Sequence, residues 1–394
     1  MRRRMDIANQ LAASFAAVCL TAQLASAALA LPKCRAPREK ARSPQRPPVT
    51  IVRPVCGLEP YSRETLGATF ALDWPDYEII FCVDDPRDPV VAIVNELIEA
   101  HPDARARLLS GFQRMSTNPK LDNMAKGWRM AQHDWIVFLD SNVSPPTDYL
   151  DRLFLAQDGA GCMVSAPPAG AAPCGFWSEV ECCLLNAFQA RVQYAADSLG
   201  FGFAQGKTLF FARRMLENGG FEALATEPAE DAAATRLMRK SGGKVRLAGP
   251  PFPQFLGRKS FMDVFSRQMR WARLRRATFP MLYLPEILVG LWPPLLAVMF
   301  LLAQLDLDMA SFMSAGLAFA ALWYVPELVL TYMAGWPLNW RSPLALLVRD
   351  LLLPMIYLTA FTGKQVVWHG VVVCSESDKA PFFRKATQRL KPFF

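Results

Sequence analysis

Apolar residues are concentrated at the two ends of this chain, and the stretch between them has the mixed character of a soluble domain. Long apolar runs cover residues 7–32 and 281–362, whereas residues 49–257 combine short apolar segments with charged ones. A run of about 20 apolar residues is long enough to cross a bilayer as a helix. The pattern therefore predicts a soluble body that membrane helices hold at both ends.

In the central stretch, short apolar strands alternate with segments that have helical periodicity. Strands are predicted at 49–57, 77–85, 106–111 and 134–140, and helices at 89–101 and 121–133. This alternation is typical of an α/β fold with a doubly wound, mostly parallel sheet. Ligands of such sheets bind beyond the carboxyl ends of the strands, so the residues that follow the strands are the first candidates for a site.

The N-terminal apolar run allows two interpretations. Its ending, ASAALA, resembles a signal-peptidase site, which would make the run a cleaved signal peptide. However, six positive residues lie in the flank 33–46 against three at the start of the chain. By the positive-inside rule, this charge difference keeps the downstream domain cytoplasmic. We favour an uncleaved N-terminal anchor.

The C-terminal apolar region predicts two or three membrane helices. Runs 281–304 and 310–334 are long enough to span, and a third run, 343–362, contains Arg349 and Asp350. Because a charged pair inside a spanning helix is costly, the third run is expected to lie partly at the interface or to be re-entrant. The expected organisation is an anchor with a basic linker, a soluble catalytic or binding domain, an interfacial helix, membrane helices and a basic tail, over 1–48, 49–257, 258–280, 281–370 and 371–394.

Charge and cysteine content narrow the function classes. The net charge of +8 raises the question of nucleic acid, but the positive residues gather beside the apolar segments, at 33–46, 267–276 and 384–391. Basic flanks in such places are attracted to anionic lipid head groups, so we expect no nucleic-acid partner. The nine cysteines include no C-x2-C pair. They predict neither a disulfide framework nor a zinc site, and they fit a reducing cytoplasm.

Acidic residues follow two of the predicted strands. Asp84, Asp85 and Asp88 come after one strand, and Asp140 comes directly after another. A single aspartate in this place is often only a turn or N-cap residue. Two such strand ends in one sheet converge on the same crevice, where carboxylates can hold a ribose and a metal that bridges phosphates.

Two further segments carry charge near the predicted crevice or the membrane. Glu230 and Asp231 begin a predicted helix, where the helix dipole stabilises a carboxylate and a simple capping role is an alternative. Residues 266–276, SRQMRWARLRR, directly precede the C-terminal apolar region, and a basic interfacial helix is their ordinary interpretation.

In this order, the motifs resemble the D, D, D, (Q/R)xxRW pattern of membrane GT-A glycosyltransferases, and most of all the bacterial branch of the ceramide glucosyltransferase family. The resemblance covers about residues 49–370. It is carried by RPVCGLEP (53–60), YEIIFCVDDPRDPVV (77–91), NPKLDNMAKGW (118–128), DSNV (140–143), AEDAAATRLMR (229–239), RQMRWARLRRATFP (267–280) and LLVRDLLLP (346–354). It implies a GT-A fold for the central domain.

The resemblance assigns the first group of acidic residues to the donor. It implies that Asp85 binds the nucleotide of a UDP-sugar, with Asp84 and Asp88 beside it in the same loop. Asp140 would open the motif that binds the metal and the diphosphate. Asn142 stands where many relatives have a second aspartate, and an amide oxygen there would weaken metal binding.

The resemblance also assigns the base and the motif beside the membrane. Asp231 would be the catalytic base that activates the acceptor hydroxyl. Arg267, Arg270 and Trp271 would form the Arg-x-x-Arg-Trp motif, whose positive charge binds the leaving diphosphate of the donor.

The implied reaction is the inverting transfer of a hexose, with glucose favoured, from a UDP-sugar to the hydroxyl of a membrane lipid. Ceramide is the favoured acceptor, and Mg²⁺ or Mn²⁺ is the expected cofactor. Diacylglycerol or another lipid, UDP-galactose and a UDP-uronic acid remain alternatives. The protein would be a multi-pass component of a bacterial inner membrane with its catalytic domain in the cytoplasm, and its oligomeric state is not indicated.

A P-loop NTPase is the alternative from a different class. Residues 199–208, LGFGFAQGKT, end in Gly-Lys-Thr, but the first glycine that a P-loop requires falls on Phe201. The segment KTLFFARR that follows predicts a strand where a P-loop requires a helix. We therefore do not expect a P-loop. The resemblance to the glycosyltransferases instead implies a Gly-containing loop near the donor, with Lys207 facing the pocket.

Overall fold

The computed structural model describes most of the chain. Of the expected segments, part of the basic linker and most of the basic tail lie outside the described residues. The described ranges are 2–35, 41–116, 118–159, 161–217, 221–227, 229–362, 365–368 and 371–375.

A seven-stranded mixed sheet forms the centre of the fold. The strands of the molecule are β1 (Val49–Pro54), β2 (Tyr77–Val83), β3 (Arg105–Ser110), β4 (Trp135–Leu139), β5 (Cys162–Ser165), β6 (Pro168–Cys174), β7 (Thr208–Ala212), β8 (Lys244–Leu247), β9 (Phe252–Arg258), β10 (Gln365–Trp368) and β11 (Val371–Ser375). The order in the sheet is β3-β2-β1-β4-β7-β5-β8. β1 to β4 are mutually parallel, and β7 runs antiparallel to β4 and β5. The predicted mostly parallel sheet is confirmed, with β7 as the reversed strand.

Helices cover both faces of this sheet. Those of the central domain are α2 (Ser62–Gly67), α3 (Val90–Ala100), α4 (Pro119–Met130), α5 (Tyr149–Leu155), α6 (Phe176–Cys182), α7 (Arg191–Ser198), α8 (Arg214–Glu217) and α9 (Glu230–Lys240). Neighbouring strand residues point to opposite faces. Accordingly, Phe138 and Phe211 belong to the core beneath α4, whereas Val137 and Phe210 belong to the core beneath α5. Burial on both faces explains why these strands are continuous apolar runs.

One long helix connects the sheet to the membrane helices. A π-helical stretch, Cys183–Ala190, joins α6 to α7, so that residues 176–198 are helical throughout. Cys182 of α6 packs in a small core with Leu256 of β9. Tyr194 of α7 packs with Ala30 and Leu330 of two apolar helices from the chain ends.

The apolar ends form helices, with one break that the sequence analysis did not predict. They are α1 (Arg2–Cys34), α10 (Phe261–Thr278), α11 (Pro280–Tyr283), α12 (Trp292–Leu302), α13 (Met309–Met333) and α14 (Ser342–Thr359). Among the described residues, α1, α13 and α14 are long and apolar enough to cross a membrane. The segments 280–288 and 292–302 meet at a bend of 43°, and they would be a fourth span only if taken together.

The run expected to be re-entrant is instead a continuous helix, α14. Its charged pair is fully buried, and Arg349 binds both Asp350 of its own helix and Glu327 of α13 at 2.5–2.8 Å between nitrogen and oxygen. Partners of opposite charge offset the cost that a lone charge would carry in a spanning helix. The expectation of a re-entrant run was wrong because the sequence does not show that Glu327 faces Arg349, while a position partly at the interface stays a prediction.

Candidate active site

The carboxyl ends of the parallel strands meet at one edge of the sheet, where β7 also begins. The loop after β4 is held there by Arg53 of β1, whose guanidinium is fully buried. It donates hydrogen bonds to the carbonyl oxygens of Asp140, Ser141 and Val143 at 2.9–3.1 Å. Burial lowers the pKa of Arg53 to about 10, so the side chain remains charged at neutral pH. Arg53 therefore fixes the Asp-Ser-Asn loop through its backbone.

The side chains of that loop receive an ammonium group. Lys207, directly before β7, donates to the carboxylate of Asp140 and, at 2.8 Å, to Oδ1 of Asn142. Burial alone would raise the pKa of Asp140, but Lys120 and Lys207 together hold it well below its usual range. Asp140 is therefore ionised at every physiological pH. The loop also meets Glu59, which accepts from Nδ2 of Asn142 at 3.2 Å.

Lys120 connects the strand edge to the start of α9. Its Nζ lies 2.7 Å from Glu230 Oε1 and 3.7 Å from Asp140 Oδ1. Asn118, the N-cap of α4, donates to the other oxygen of Glu230 at 3.0 Å. Burial would lower the pKa of Lys120, but Asp140 and Glu230 outweigh it and raise the pKa. These ion pairs hold the charged Lys120 in the first turn of α4, where the helix dipole disfavours a cation.

Asp231 is the second residue of α9 and lies beside this cluster. The backbone N–H of Gly206 donates to its Oδ2 at 2.9 Å, and that of Ala232 donates to Oδ1 at 2.8 Å. Burial raises the pKa of Asp231 to about 6, and the negative charge of Glu230 acts in the same direction. Asp231 is thus a carboxylate that is mostly ionised at neutral pH yet binds a proton more readily than a free one.

The loop 199–207 brings its backbone against these side chains. A Cβ at Gly206 would lie 2.6 Å from Glu230 Oε1 and 3.1 Å from Lys120 Nζ, so a larger residue there would have to displace the ends of these two side chains. The loop leads into β7, and Lys207 therefore precedes a strand and binds Asp140. A P-loop lysine lies at the start of a helix. The geometry of residues 199–208 is not that of a P-loop.

The three aspartates after β2 have different surroundings. Asp84 accepts from Lys126 at 3.1 Å, and the same ammonium binds the carbonyl oxygens of Val83 and Gly111, at the ends of β2 and β3. Asp85 is half exposed and accepts hydrogen bonds from Arg87.

Asp88 has a role within the loops. Its carboxylate accepts from the backbone N–H of Gly57 at 2.8 Å and of Val90 at 2.9 Å. It therefore joins the turn after β1 to the start of α3. Of the three aspartates, Asp85 is the one whose carboxylate faces solvent at the strand edge, and Asp84 and Asp88 hold the surrounding loops.

The Arg-x-x-Arg-Trp motif lies on α10. Arg267 is bound by the buried Glu181 at 3.2 Å and by Gln254 of β9 at 3.2 Å. Its guanidinium stacks on the ring of Trp271 at 4.6 Å, and Trp271 packs against the core of α6 and β9. Trp271 thus positions Arg267. Among the described residues, none forms a hydrogen bond with the guanidinium of Arg270. Burial and the charge of Arg267 lower the pKa of Arg270, and the opposing effect of Glu59 and Asp140 is smaller.

Several site residues were not identified from the sequence. They are Arg53, Lys120, Lys126 and Glu181, which bind the predicted residues from neighbouring elements. Glu230 was noted from the sequence only as the start of a helix. The two lysines had a signal, because NPKLDNMAKGW places them on a helix that buries most of its surface. Glu181 had none, since its partner Arg267 is distant in the sequence.

The residues present fit a cation that a nucleotide brings with it. Asp140 and Asn142 offer two oxygen ligands, and no group of three or more His, Cys, Asp or Glu side chains in the described part of the chain could hold a metal. Mg²⁺ commonly uses one or two protein oxygens and completes its shell with phosphates and water. The pair is therefore sufficient only with a ligand that supplies oxygens.

Comparison with known proteins finds ceramide glucosyltransferases among the similar sequences. The chain is 24% identical to ceramide glucosyltransferase 1 of Caenorhabditis elegans over 62% of its length and 53% of that protein, so it spans about half of that relative. It is 25% identical to ceramide glucosyltransferase 3 of the same organism over 83% of this chain and 72% of that one.

A solved structure shows the same GT-A fold. It is a mannosyltransferase of Pyrobaculum calidifontis in complex with GDP-Man and Mn²⁺, with a TM-score of 0.50 and 20% identity over 86% of this chain and 98% of that chain. Residues 10–379 match the model of glycosyl transferase family 21. Because this match runs over nearly the whole chain, the protein belongs to glycosyl transferase family 21.

Proposed function

We propose that the protein transfers a hexose, with glucose favoured, from a UDP-sugar to the hydroxyl of a membrane lipid, with ceramide as the favoured acceptor. The observation that carries the proposal is the cluster that joins Asp140 to the start of α9. Lys120 lies between Asp140 and Glu230, and Gly206 donates to Asp231. The loop that we assign to donor binding and the carboxylate that we assign as the base therefore lie beside the same lysine.

On the donor side, positive groups surround the place where negative charge would develop. The positive charges of Lys120, Lys207 and Arg267 lower the pKa of Asp140. Arg270 is near enough for the charges of Arg267 and Asp140 to shift its own pKa. When the bond from the sugar to UDP breaks, the diphosphate gains negative charge, which preorganised cations stabilise. A divalent ion held by Asp140 and Asn142 would supply Lewis-acid stabilisation of the same leaving group.

On the acceptor side, Asp231 would remove the proton of the lipid hydroxyl. Its two backbone donors fix the orientation of the carboxylate, and its raised pKa suits a base that works near neutral pH. General-base assistance of this kind accelerates a reaction by about 10²–10⁴-fold. With one base and no covalent nucleophile assigned, we expect a single displacement with inversion at the anomeric carbon.

The membrane helices support a lipid acceptor. α10, which carries Arg267, leads directly into α11, whose side chains Met281 and Leu282 are 77% and 71% exposed. Exposed apolar residues next to helices that can span a bilayer mark a surface that contacts lipid. We propose that the site opens toward the head-group region of a bacterial inner membrane from the cytoplasmic side.

The experiment is transfer of label to lipid. Membranes that contain the full chain are incubated with labelled UDP-glucose, UDP-galactose or a UDP-uronic acid, each with ceramide or diacylglycerol. We expect labelled glucosylceramide with the β-anomeric configuration. A different labelled lipid would correct the donor or the acceptor, and no labelled lipid under any combination would overturn the proposal.

The variant that tests the catalytic base is Asp231→Asn. It keeps the size of the side chain and one acceptor oxygen for the backbone donors, but it cannot take a proton at neutral pH. We expect transfer to fall by at least ~10²-fold, as for the loss of a general base, while UDP binding measured by calorimetry stays within a few-fold of the wild type. Near-normal turnover of the variant would remove Asp231 from this role.

A further inference from the structure

Lys207 forms hydrogen bonds with both side chains that would ligate the metal. Its ammonium binds the carboxylate of Asp140 and Oδ1 of Asn142, which are the oxygens that the Asp-Ser-Asn loop offers to a cation. In this structure, a cation of the protein itself therefore neutralises the metal-binding pair.

The position of Lys207 is built into the sheet. The backbone N–H of Asp140 donates to the carbonyl oxygen of Lys207 at 3.1 Å, and the next residue, Thr208, is fully buried opposite Leu139. The side chains of Lys207 and Asp140 are only 14% and 15% exposed. The backbone therefore holds Lys207 beside the Asp-Ser-Asn loop, and its side chain is mostly buried, unlike that of a surface lysine.

The charges around the pair disfavour a second cation. Lys120 lies 3.7 Å from the other oxygen of Asp140, so two ammonium groups already face one carboxylate. A divalent ion placed beside them would be repelled by both, and at partly buried positions such repulsion is weakly screened. A diphosphate would reverse this balance, because it adds negative charge and oxygen ligands together.

We propose that Lys207 and the divalent cation are alternative occupants of the Asp140–Asn142 pair, so that the cation binds tightly only together with the donor diphosphate. This inference rests on the proposed function for the identity of the diphosphate. Lysine has a flexible stem and a compact charge, so a displaced Lys207 can contact a phosphate oxygen while its backbone stays in place. Lys207 is then a positioning residue that couples metal binding to donor binding.

The test measures Mn²⁺ binding to the full chain in lipid nanodiscs, from the loss of the paramagnetic resonance signal of free Mn²⁺. For the wild type, we expect weak binding that UDP strengthens. For Lys207→Met, we expect binding without UDP to tighten by about tenfold or more, since a neighbouring charge changes the cation affinity of a carboxylate by that order. Lys207→Arg keeps the charge and should bind Mn²⁺ as weakly as the wild type.

Two controls isolate the effect. Lys244→Met removes one positive charge from β8, where the side chain is 71% exposed, and should leave Mn²⁺ binding unchanged. The double variant Asp140→Asn with Lys207→Met should lose the gain, because the ligand is gone. If Lys207→Met does not fold, Lys207→Gln serves in its place.

Unchanged Mn²⁺ affinity in the folded uncharged variant would overturn the inference. The measurement contains no sugar and no acceptor lipid, so its outcome is separate from that of the transfer experiment. Tighter Mn²⁺ binding with no labelled lipid would leave Lys207 in this role and reject the transferase proposal. Labelled lipid with unchanged Mn²⁺ affinity would support the transferase proposal and reject this role of Lys207.

Discussion

At the scale of single residues, the proton affinity of Asp231 is set by opposing neighbours. Burial and the negative charge of Glu230 raise its pKa to about 6, while the N–H of Gly206 and the ammonium of Lys120 lower it. The raised value has a cost for the fold, since the ionised carboxylate is less stable in the folded protein than in water. That part of the stability is present at low pH and is lost as the pH rises through about 6.

The pH dependence of transfer follows from the same pKa. Because the base must be ionised, we expect kcat/KM to fall about tenfold per pH unit below about 6 and to level off above it. The check is the initial rate of lipid labelling from pH 5 to pH 8, at donor concentrations well below KM. Thermal unfolding over the same pH range separates titration from loss of fold, and a flat profile down to pH 5 would contradict the role of Asp231.

Trp271 provides a second prediction at this scale. Its ring supports the guanidinium of Arg267, and cation–π stacking of a partly buried pair is worth about 0.5–2 kcal/mol. We expect Trp271→Leu to raise the donor KM by about 3- to 30-fold, which is the same free energy expressed as affinity. Trp340→Leu is the matched control, because Trp340 is stacked by Arg341 at 4.9 Å but is 82% exposed. Equal effects of the two variants would count against a positioning role.

At the scale of elements, a buried charge network holds the apolar helices together. Glu327 of α13 is bound by Arg349 of α14, by Arg191 of α7 and by Gln23 of α1, the last at 2.6 Å. Tyr324 and the backbone N–H of Leu291 donate to Asp350. The charges of these residues balance, so each one is compensated by the others.

Removal of one member should therefore be costly. We expect Glu327→Leu to lower the free energy of unfolding by about 3–5 kcal/mol, because it leaves Arg191 buried without a carboxylate and Arg349 with Asp350 alone. The control Glu96→Leu breaks the exposed pair with Arg63 and should cost at most about 1 kcal/mol. Chemical unfolding of the full chain in detergent micelles compares the two, and similar losses would show that the network does not stabilise the bundle.

The break between α11 and α12 lies at prolines and a glycine within a continuous apolar run. Pro285 and the pair Pro293-Pro294 interrupt backbone hydrogen bonding, and Gly290 adopts a φ of +97° between them. Proline and left-handed glycine are the ordinary causes of such a break. The run 281–304 could therefore have been divided from the sequence, because the breakers are visible even though the apolar pattern is continuous.

At the scale of the whole molecule, local patterns were sufficient for the sheet and for the edge where the site lies. β1 to β4, α3 and α4 follow from alternation and apolar runs. Asp140 and Asp231 are noticeable from their places at element ends, although only the resemblance assigns them roles. The missing part is non-local. Partners such as Glu181 for Arg267 and Glu327 for Arg349 come from elements whose proximity only the folded chain reveals.

The helix of residues 176–198 connects the candidate active site directly to the membrane helices. Glu181, near one end, holds Arg267, and Arg191, ten residues later, is bound to Gln23 and Glu327. The stretch between these two anchor points is continuous helix, and most of it is the π-helical segment Cys183–Ala190. Because one continuous helix carries both anchor points, we expect the distance between them to select acceptors by the height at which their hydroxyl stands above the hydrocarbon of the bilayer.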